Sequence, residues 1–348
     1  MKPILLQYLR CPECRGDLTL RDARNEESAY GREIVDGTLI CSRCGARFAV
    51  IDGIPRLHVT ATSDETRPRT AASFGYLWAK SVPGEEVYES KAYHYAKMEQ
   101  SLALPAPHGL VLDAGCGDGI DLANQARRPG VEVIGVELSD GGCQTSYARA
   151  RTVPHAHVVQ ADLCRLPFAD ATFDFAYSYG VLHHIGAPAR GLGEVVRVAK
   201  PGARIAAYLY EDFSERSGFL RWSLAAANTL RTITTQMPNR VLYNLCRLAS
   251  PFVYVLFTVP ATLGRRVRVL APVANSVPFR HGSGPFSLVG DLYDRFSAPV
   301  EFRYSRNSAR AFFHDGGLER VTVAEERGWM VSGVKPADGG GRASSTAG

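Results

Sequence analysis

The sequence predicts an α/β protein: a doubly wound, mostly parallel seven-stranded sheet, preceded by a small module of paired cysteines and interrupted near its end by a helical insertion. Three observations carry this. Short apolar runs at Leu110–Leu112, Glu132–Val136, His157–Gln160 and Phe173–Ser178 recur with room for a helix after each, and a fifth, Ala203–Tyr210, follows a Lys200-Pro201-Gly202 turn. Cysteines pair as Cys11-Pro12-Glu13-Cys14 and Cys41-Ser42-Arg43-Cys44. The last two strands, Leu318–Ala324 and Trp329–Val334, are delayed by a stretch rich in arginine and aliphatic residues.

At 348 residues, with 45% hydrophobic and 22% charged side chains, the chain has material for about two domains, and disorder or a collagen-like repeat is excluded for its bulk. The formal charge of +5 is local, because segments 1–60, 61–213, 214–282 and 283–348 carry +1, −4, +8 and 0. The +8 segment holds nine arginines and one acid, Glu215. Met1–Leu9 offers only Ile4-Leu5-Leu6 before Arg10, without the apolar core of a secretory signal, and the cysteines lack a disulfide-like framework. The expected compartment is the cytoplasm.

Each CxxC folds two thiolates onto one ion, and Cys11, Cys14, Cys41 and Cys44 together complete a tetrahedral Zn²⁺ shell. Between the pairs, Asp17–Asp22 and Ile34–Ile40 read as strands joined by a polar turn. The competing reading, two redox motifs, expects each CxxC at the start of a helix in a βαβ unit, whereas both pairs sit at turns of a small β segment. Four thiolates with no open position make a structural rather than a catalytic site. Residues Leu5–Cys14 and Gly37–Leu57 resemble the small zinc-ribbon proteins that partner methyltransferases and the similar ribbons fused to them. The predicted ribbon spans 1–59. A linker with an N-terminal helical lid covers 60–104, where Phe74-Gly75-Tyr76-Leu77-Trp78 is placed either to fold over a ligand or to pack in the core.

The strand Leu110–Leu112 ends in Asp113-Ala114-Gly115-Cys116-Gly117-Asp118-Gly119, whose glycines let the backbone approach a ligand. Dinucleotide enzymes and methyltransferases both use such a turn. An acid at the strand end would repel a pyrophosphate and suits a cationic ligand bearing an amino acid group. The second strand ends in Glu137, 24 residues after Asp113, where a carboxylate can accept from both hydroxyls of a ribose. The third ends in Ala161-Asp162-Leu163 and the fourth opens into Tyr179-Gly180-Val181-Leu182-His183-His184.

This set, over residues 105–213 with closing elements in 301–335, resembles the class I S-adenosylmethionine-dependent methyltransferases, in particular those like the quinone-biosynthesis methyltransferases. The resemblance implies a Rossmann-like fold and S-adenosyl-L-methionine as cofactor. It places Asp113, Gly115, Cys116 and Gly117 around the methionine moiety, Glu137 with Leu138 at the ribose, Asp162 with Leu163 at the adenine, and Ser178 and Tyr179 beside the ligand. Cys116 reads as a packing residue within that turn, and Asp162 has a second reading as a helix N-cap. His183, His184 and Tyr179 are the catalytic candidates if the acceptor must lose a proton, with at most one histidine facing the pocket.

Residues 214–300 form a basic insertion above the carboxyl ends of the strands. Phe219, Trp222, Ala226, Leu230 and Ile233 line one helical face, and a second helix is expected over Arg240–Ala249. Leu248–Gly264 carries no charge, but its 17 residues hold Pro251 and Pro260, short of the ~20 that span a bilayer. The insertion is read as a cap for a small-molecule or lipid-like acceptor, with peripheral membrane contact through 214–282 or a homodimer interface as further uses. Nucleic acid is disfavoured, since arginine alternates here with large aliphatics. The expected function is methylation of a small-molecule or lipid-linked metabolite on oxygen, nitrogen or carbon. The alternatives are an RNA methyltransferase that reads its substrate through the ribbon, and a partner-binding protein with a vestigial cofactor domain. The tail, 336–348, reads as disordered.

Overall fold

The computed structural model describes residues 1–58, 66–81, 94–271, 274, 277 and 279–337. The predicted tail from 338 onward and residues 60–65 and 82–93 of the predicted linker and lid lie outside them. Four antiparallel strands form the N-terminal ribbon in the order β1 (Leu18–Ser28), β2 (Gly31–Cys41), β3 (Arg47–Ile51) and β4 (Ile54–Pro55). The first hairpin is longer than its apolar pattern announces, running from Leu18↔Cys41 to Ser28↔Gly31 with an irregularity in register around Arg24↔Asp36. The outer part of β1 faces water on both sides, so no period-2 alternation reports it.

After α1 (Thr66–Trp78) and α2 (His94–Leu102) come β5 (Gly109–Ala114), α3 (Ile120–Gln125), β6 (Val131–Glu137), α4 (Asp140–Ala150), β7 (Ala156–Gln160), β8 (Phe173–Tyr179), α5 (Pro188–Val198) and β9 (Ala199–Leu209). The insertion contributes α6 (Gly218–Thr234), α7 (Asn239–Val253), α8 (Val259–Arg265) and α9 (Val289–Ser297). The chain closes with α10 (Arg306–Asp315), β10 (Glu319–Glu325) and β11 (Trp329–Val334). The seven-stranded order is β10-β11-β9-β8-β5-β6-β7, parallel except for β11, which pairs antiparallel with both neighbours. Val111, Leu112, Val133, Ile134, Val158, Val159 and Ala176 are all essentially buried, as expected of strands covered on both faces. Strand order reverses between β5 and β8, and a crevice opens there at the strands' carboxyl ends.

The ribbon seals the sheet edge at β7. The Leu57 N–H donates to the Gln160 carbonyl at 2.8 Å, and Arg10 N–H to the Pro167 carbonyl at 2.8 Å. Lys2 Nζ donates to the carbonyls of Val153 and Ala156, at 2.6 and 2.8 Å, just past the end of α4. Buried Leu5, Leu9 and Leu57 share one hydrophobic cluster with Leu163, Leu166 and Phe168.

The second insertion helix is not the ten-residue segment expected. It runs from Asn239 to Arg265 without interruption, through a π-turn at Tyr254–Thr258. The π-turn, in which Val259 N–H donates to the Tyr254 carbonyl, lies between Pro251 and Pro260 inside the continuous helix. The prolines therefore bend the hydrogen-bond pattern without ending the helix.

Since ribbon and sheet share a core, loss of metal should reach both. Cys41→Ser is expected to release zinc and to lower the single thermal midpoint of the whole chain, by roughly 2 °C per kcal/mol lost. Scanning calorimetry with metal analysis checks this; an unchanged midpoint in a zinc-free variant would refute the coupling.

Candidate active site

The turn after β5 is pinned by two backbone bonds, from Gly115 N–H and Cys116 N–H to the Val136 carbonyl at 2.9 and 3.0 Å. Gly115 has φ +94°, and a Cβ there would meet the Val181 side chain at 2.4 Å. Gly117 has φ +53°, with the Trp78 indole 3.1 Å from where its Cβ would sit. Cys116 lines the cavity but is a packing residue, and burial pushes its thiol pKa well up, so it stays protonated.

Four carboxylates gather on this wall. Glu137 accepts from Ser139 N–H and Oγ–H at 2.8 and 2.6 Å, and from Gly117 N–H at 3.2 Å. Asp113 accepts from the Tyr177 hydroxyl at 2.8 Å. Asp118 accepts from Ser81 Oγ–H at 2.5 Å, and Asp121 from Tyr95 N–H at 3.1 Å. Burial raises the pKa values of Asp113, Asp118 and Glu137, most strongly that of Asp113, where the charge of Asp121 adds to the effect.

Asp162 and Leu163 also line the cavity. The Asp162 carboxylate is engaged on both oxygens, by Cys164 N–H at 2.8 Å in an N-cap and by Arg67 at 3.4 Å. Leu138 joins the lining, and Tyr179 stands stacked between His94 at 4.4 Å and Tyr208 at 4.6 Å. Two expected residues are elsewhere. Ser178, on the alternate face of β8, donates to the Ala114 carbonyl at 2.8 Å and does not line the cavity. His183 lies behind His184, 3.9 Å from the Tyr210 ring, and burial keeps its imidazole neutral.

His184 does face the cavity. Its Nδ1 lies 2.8 Å from the Val300 carbonyl, which requires a proton on Nδ1, and Nε2 is buried with no hydrogen-bond partner, so that in the neutral ring Nε2 carries the lone pair. Around it stand Tyr208, Tyr210 and Asp294. Tyr210 donates to Asp294 Oδ2 at 3.0 Å, while Asp294 Oδ1 is buried without a partner. Burial raises the Asp294 pKa, opposed by His184. Tyr208 and Tyr210 are two apart at the carboxyl end of β9, a period-2 signal that sequence reasoning passed over. Asp294 lies on α9 and is brought here only by the insertion's fold.

The lid cluster divides by helical geometry. Phe74 and Trp78, one turn apart on α1, line the cavity, whereas Tyr76 and Leu77 pack into the insertion beside Tyr243 and Tyr293. The whole cavity encloses about 610 Å³, within the ~300–1,000 Å³ usual for ligand sites.

In the ribbon, the sulfurs of Cys11, Cys14, Cys41 and Cys44 lie within 4.8 Å of one another, with Cys11–Cys44 at 3.7 Å and Cys14–Cys41 at 3.4 Å. Zn–S bonds of ~2.3 Å in a tetrahedron set sulfurs ~3.8 Å apart, so the cluster fits structural zinc.

Residues 112–207 match the family described as a methyltransferase domain, and residues 2–53 the family described as Trm112p-like protein. The chain carries a methyltransferase domain behind a Trm112p-like one. The methyltransferase region is 40% identical to demethylmenaquinone methyltransferase of Corynebacterium kroppenstedtii over 29% of this chain and 42% of that one. It is 31% identical to 24-methylenesterol C-methyltransferase 2 of Oryza sativa over 38% and 37%. An uncharacterised 37.1 kDa protein of a Streptomyces fradiae transposon is 32% identical over 38% and 40%. The chain thus spans about two fifths of the length of the curated relatives it matches. Among solved structures, a chain of the complex formed by the Haloferax volcanii Trm112 methyltransferase activator is 17% identical at a TM-score of 0.44, over 76% of this chain and 97% of that one.

The methyltransferase domain's buried carboxylates carry a pH signature. The folded pKa of Asp113 lies above the unfolded value of ~3.9, so its contribution to stability is present in acid and is lost as pH rises through the folded value. Asp113→Asn keeps an acceptor for Tyr177 and removes the buried charge. Its thermal midpoint should exceed wild type by ~2–4 °C near neutral pH, about 1 kcal/mol, with the gap closing toward pH ~4. A variant less stable than wild type at neutral pH would contradict this.

Proposed function

We propose that the protein is an S-adenosylmethionine-dependent methyltransferase acting on a small-molecule or lipid-linked acceptor. The observation that carries the proposal is a single cavity with two chemically different halves. One half presents buried Asp113, Asp118, Asp121 and Glu137, and the other presents His184, Tyr208, Tyr210 and Asp294.

The carboxylate half fits a ligand with an ammonium, a sulfonium and ribose hydroxyls. Glu137 would accept from the ribose, Asp113 and its turn would hold the amino acid end, and Leu163 and Leu138 would flank the adenine. When bound, S-adenosylmethionine supplies an electrophilic methyl group on sulfur. The protein's share is placement: holding an acceptor in line with that methyl removes up to roughly 7–11 kcal/mol of entropic barrier. Phe74 and Trp78 narrow the cavity and exclude water. Where the acceptor carries a proton, the His184 Nε2 lone pair is the base, held in its tautomer by the Val300 carbonyl and flanked by Asp294. The relatives named for sterol and demethylmenaquinone substrates support an apolar, ring-bearing or chain-bearing acceptor.

Calorimetry tests the cofactor half: Glu137→Ala removes a charged acceptor and should weaken S-adenosylmethionine binding ~100-fold or more. Wild type that binds none would leave the vestigial-domain reading in place. Transfer of labelled methyl to fractionated lysate tests the other half, with label expected in lipid or small solutes; label in RNA would overturn the acceptor class. His184→Gln should lower kcat at least tenfold for a proton-bearing acceptor, with KM for the cofactor unchanged.

A further inference from the structure

The insertion exposes more apolar surface than the rest of the chain. Of 18 exposed large hydrophobic residues among those described, 14 lie between Trp222 and Phe286. On the continuous Asn239–Arg265 helix they include Val241, Leu245, Leu248, Phe252 and Val255, spaced by four, three, four and three residues, which is one helical stripe. Leu248 and Phe252 are each 70% exposed and Leu256 67%. The opposite stripe, Leu242, Cys246 and Ser250, is buried.

We infer that this outer stripe of the Asn239–Arg265 helix is a docking face for an anionic lipid bilayer, with the helix lying along the surface. Charge selects the occupant. Arg240, Arg247, Arg265, Arg266 and Arg268 are exposed, and none is paired with a carboxylate among the described residues. A stripe of aliphatic and aromatic side chains edged by unpaired arginines matches acyl chains below phosphate headgroups. A second copy of the chain matches less well. The segment 214–282 supplies nine arginines against one acid, so a two-fold contact through it would set arginine against arginine.

The in-plane pose follows from the inner stripe. Leu242 and Cys246 pack in one cluster with Leu288, Leu292 and Tyr293. Ser250 Oγ–H donates to the Pro285 carbonyl at 2.8 Å, and Thr258 Oγ1–H to the Phe279 carbonyl at 2.5 Å. A spanning helix, though ~40 Å long at 1.5 Å per residue, would have to break these bonds. Those same bonds hold the loop whose His281, Ser283 and Ser287 line the acceptor side of the cavity. The helix thus stands between the docked surface and the site, and an acceptor dissolved in the bilayer would enter past it.

Flotation of the full-length, zinc-loaded protein with phosphatidylcholine vesicles, with and without phosphatidylglycerol, tests the inference without any methyl transfer. Binding should require phosphatidylglycerol and fall with salt. Phe252→Asp should lower partitioning ~tenfold or more, as should Arg266→Glu combined with Arg268→Glu. Unchanged circular dichroism and S-adenosylmethionine affinity establish that these variants are folded, and Leu248→Ser serves as a milder probe of the same stripe. Failure to float with anionic vesicles, or flotation indifferent to Phe252→Asp, overturns the inference. So does a wild-type dimer in sedimentation that Phe252→Asp dissociates, which would assign the stripe to a second copy. Resistance to alkaline extraction from membranes would replace surface docking with a spanning helix.

Discussion

The Glu137 carboxylate is the tie on which the site depends. It joins the glycine turn, through Gly117 N–H, to Ser139, whose side chain caps α4 by accepting from Gly142 N–H. A Cβ on Gly142 would sit 2.8 Å from Glu137, and one on Gly141 2.1 Å from the Gly75 carbonyl, so α1 closes onto α4 at bare backbone. One buried charge therefore organises the turn, the helix start and, through α1, the aromatic wall of Phe74 and Trp78. The arrangement leaves several acids in low dielectric with Arg149, 3.8 Å from Asp118, as a nearby cation. The fold tolerates that charge for the sake of a ligand that completes it.

The ribbon solves a different problem. In the parallel sheet β7 is the last strand, and an uncovered edge would leave donors, acceptors and Phe168 exposed. The Leu57–Gln160 pairing and Lys2 at the end of α4 close that edge. The ribbon in turn gains the apolar surface that four short strands lack. Zinc thus stabilises the sheet edge indirectly, and since Asp162 follows the end of β7, the cavity wall at Asp162 and Leu163 is held from the ribbon side.

The parallel strands were legible because burial on both faces writes continuous apolar runs, and the glycine turn because its chemistry is local. Glu137 and the four cysteines were legible for the same reason. The long arms of the first hairpin were not, since strands wetted on both faces carry no alternation. Ser178 was placed one face off, because nearness to a strand end does not say which way alternate residues point. Asp294 was invisible: it meets Tyr210 across 84 residues, a juxtaposition that only the folded insertion creates. Pro251 and Pro260 read as helix breakers because their local cost is real, but the helix continues through both, with a π-turn between them.

The Asn239–Arg265 helix is amphipathic in an unusual sense, with large apolar residues outside and small or polar ones, Cys246, Ser250, Thr258 and Ala261, inside. Leu242 and Cys246 set its azimuth by packing against Leu288, Leu292 and Tyr293, and two side chain-to-backbone bonds, Ser250 to Pro285 and Thr258 to Phe279, add to that placement. Both bonds end on the loop whose His281, Ser283 and Ser287 line the cavity. The outer stripe is therefore joined to the cavity by two routes, through Leu242 and Cys246 to α9, which carries Asp294, and through Ser250 and Thr258 to the loop at His281–Ser287. The side of the cavity with His184 and Asp294 is thus bordered by the insertion, and the side with Asp113 and Glu137 by the turn that Glu137 ties together.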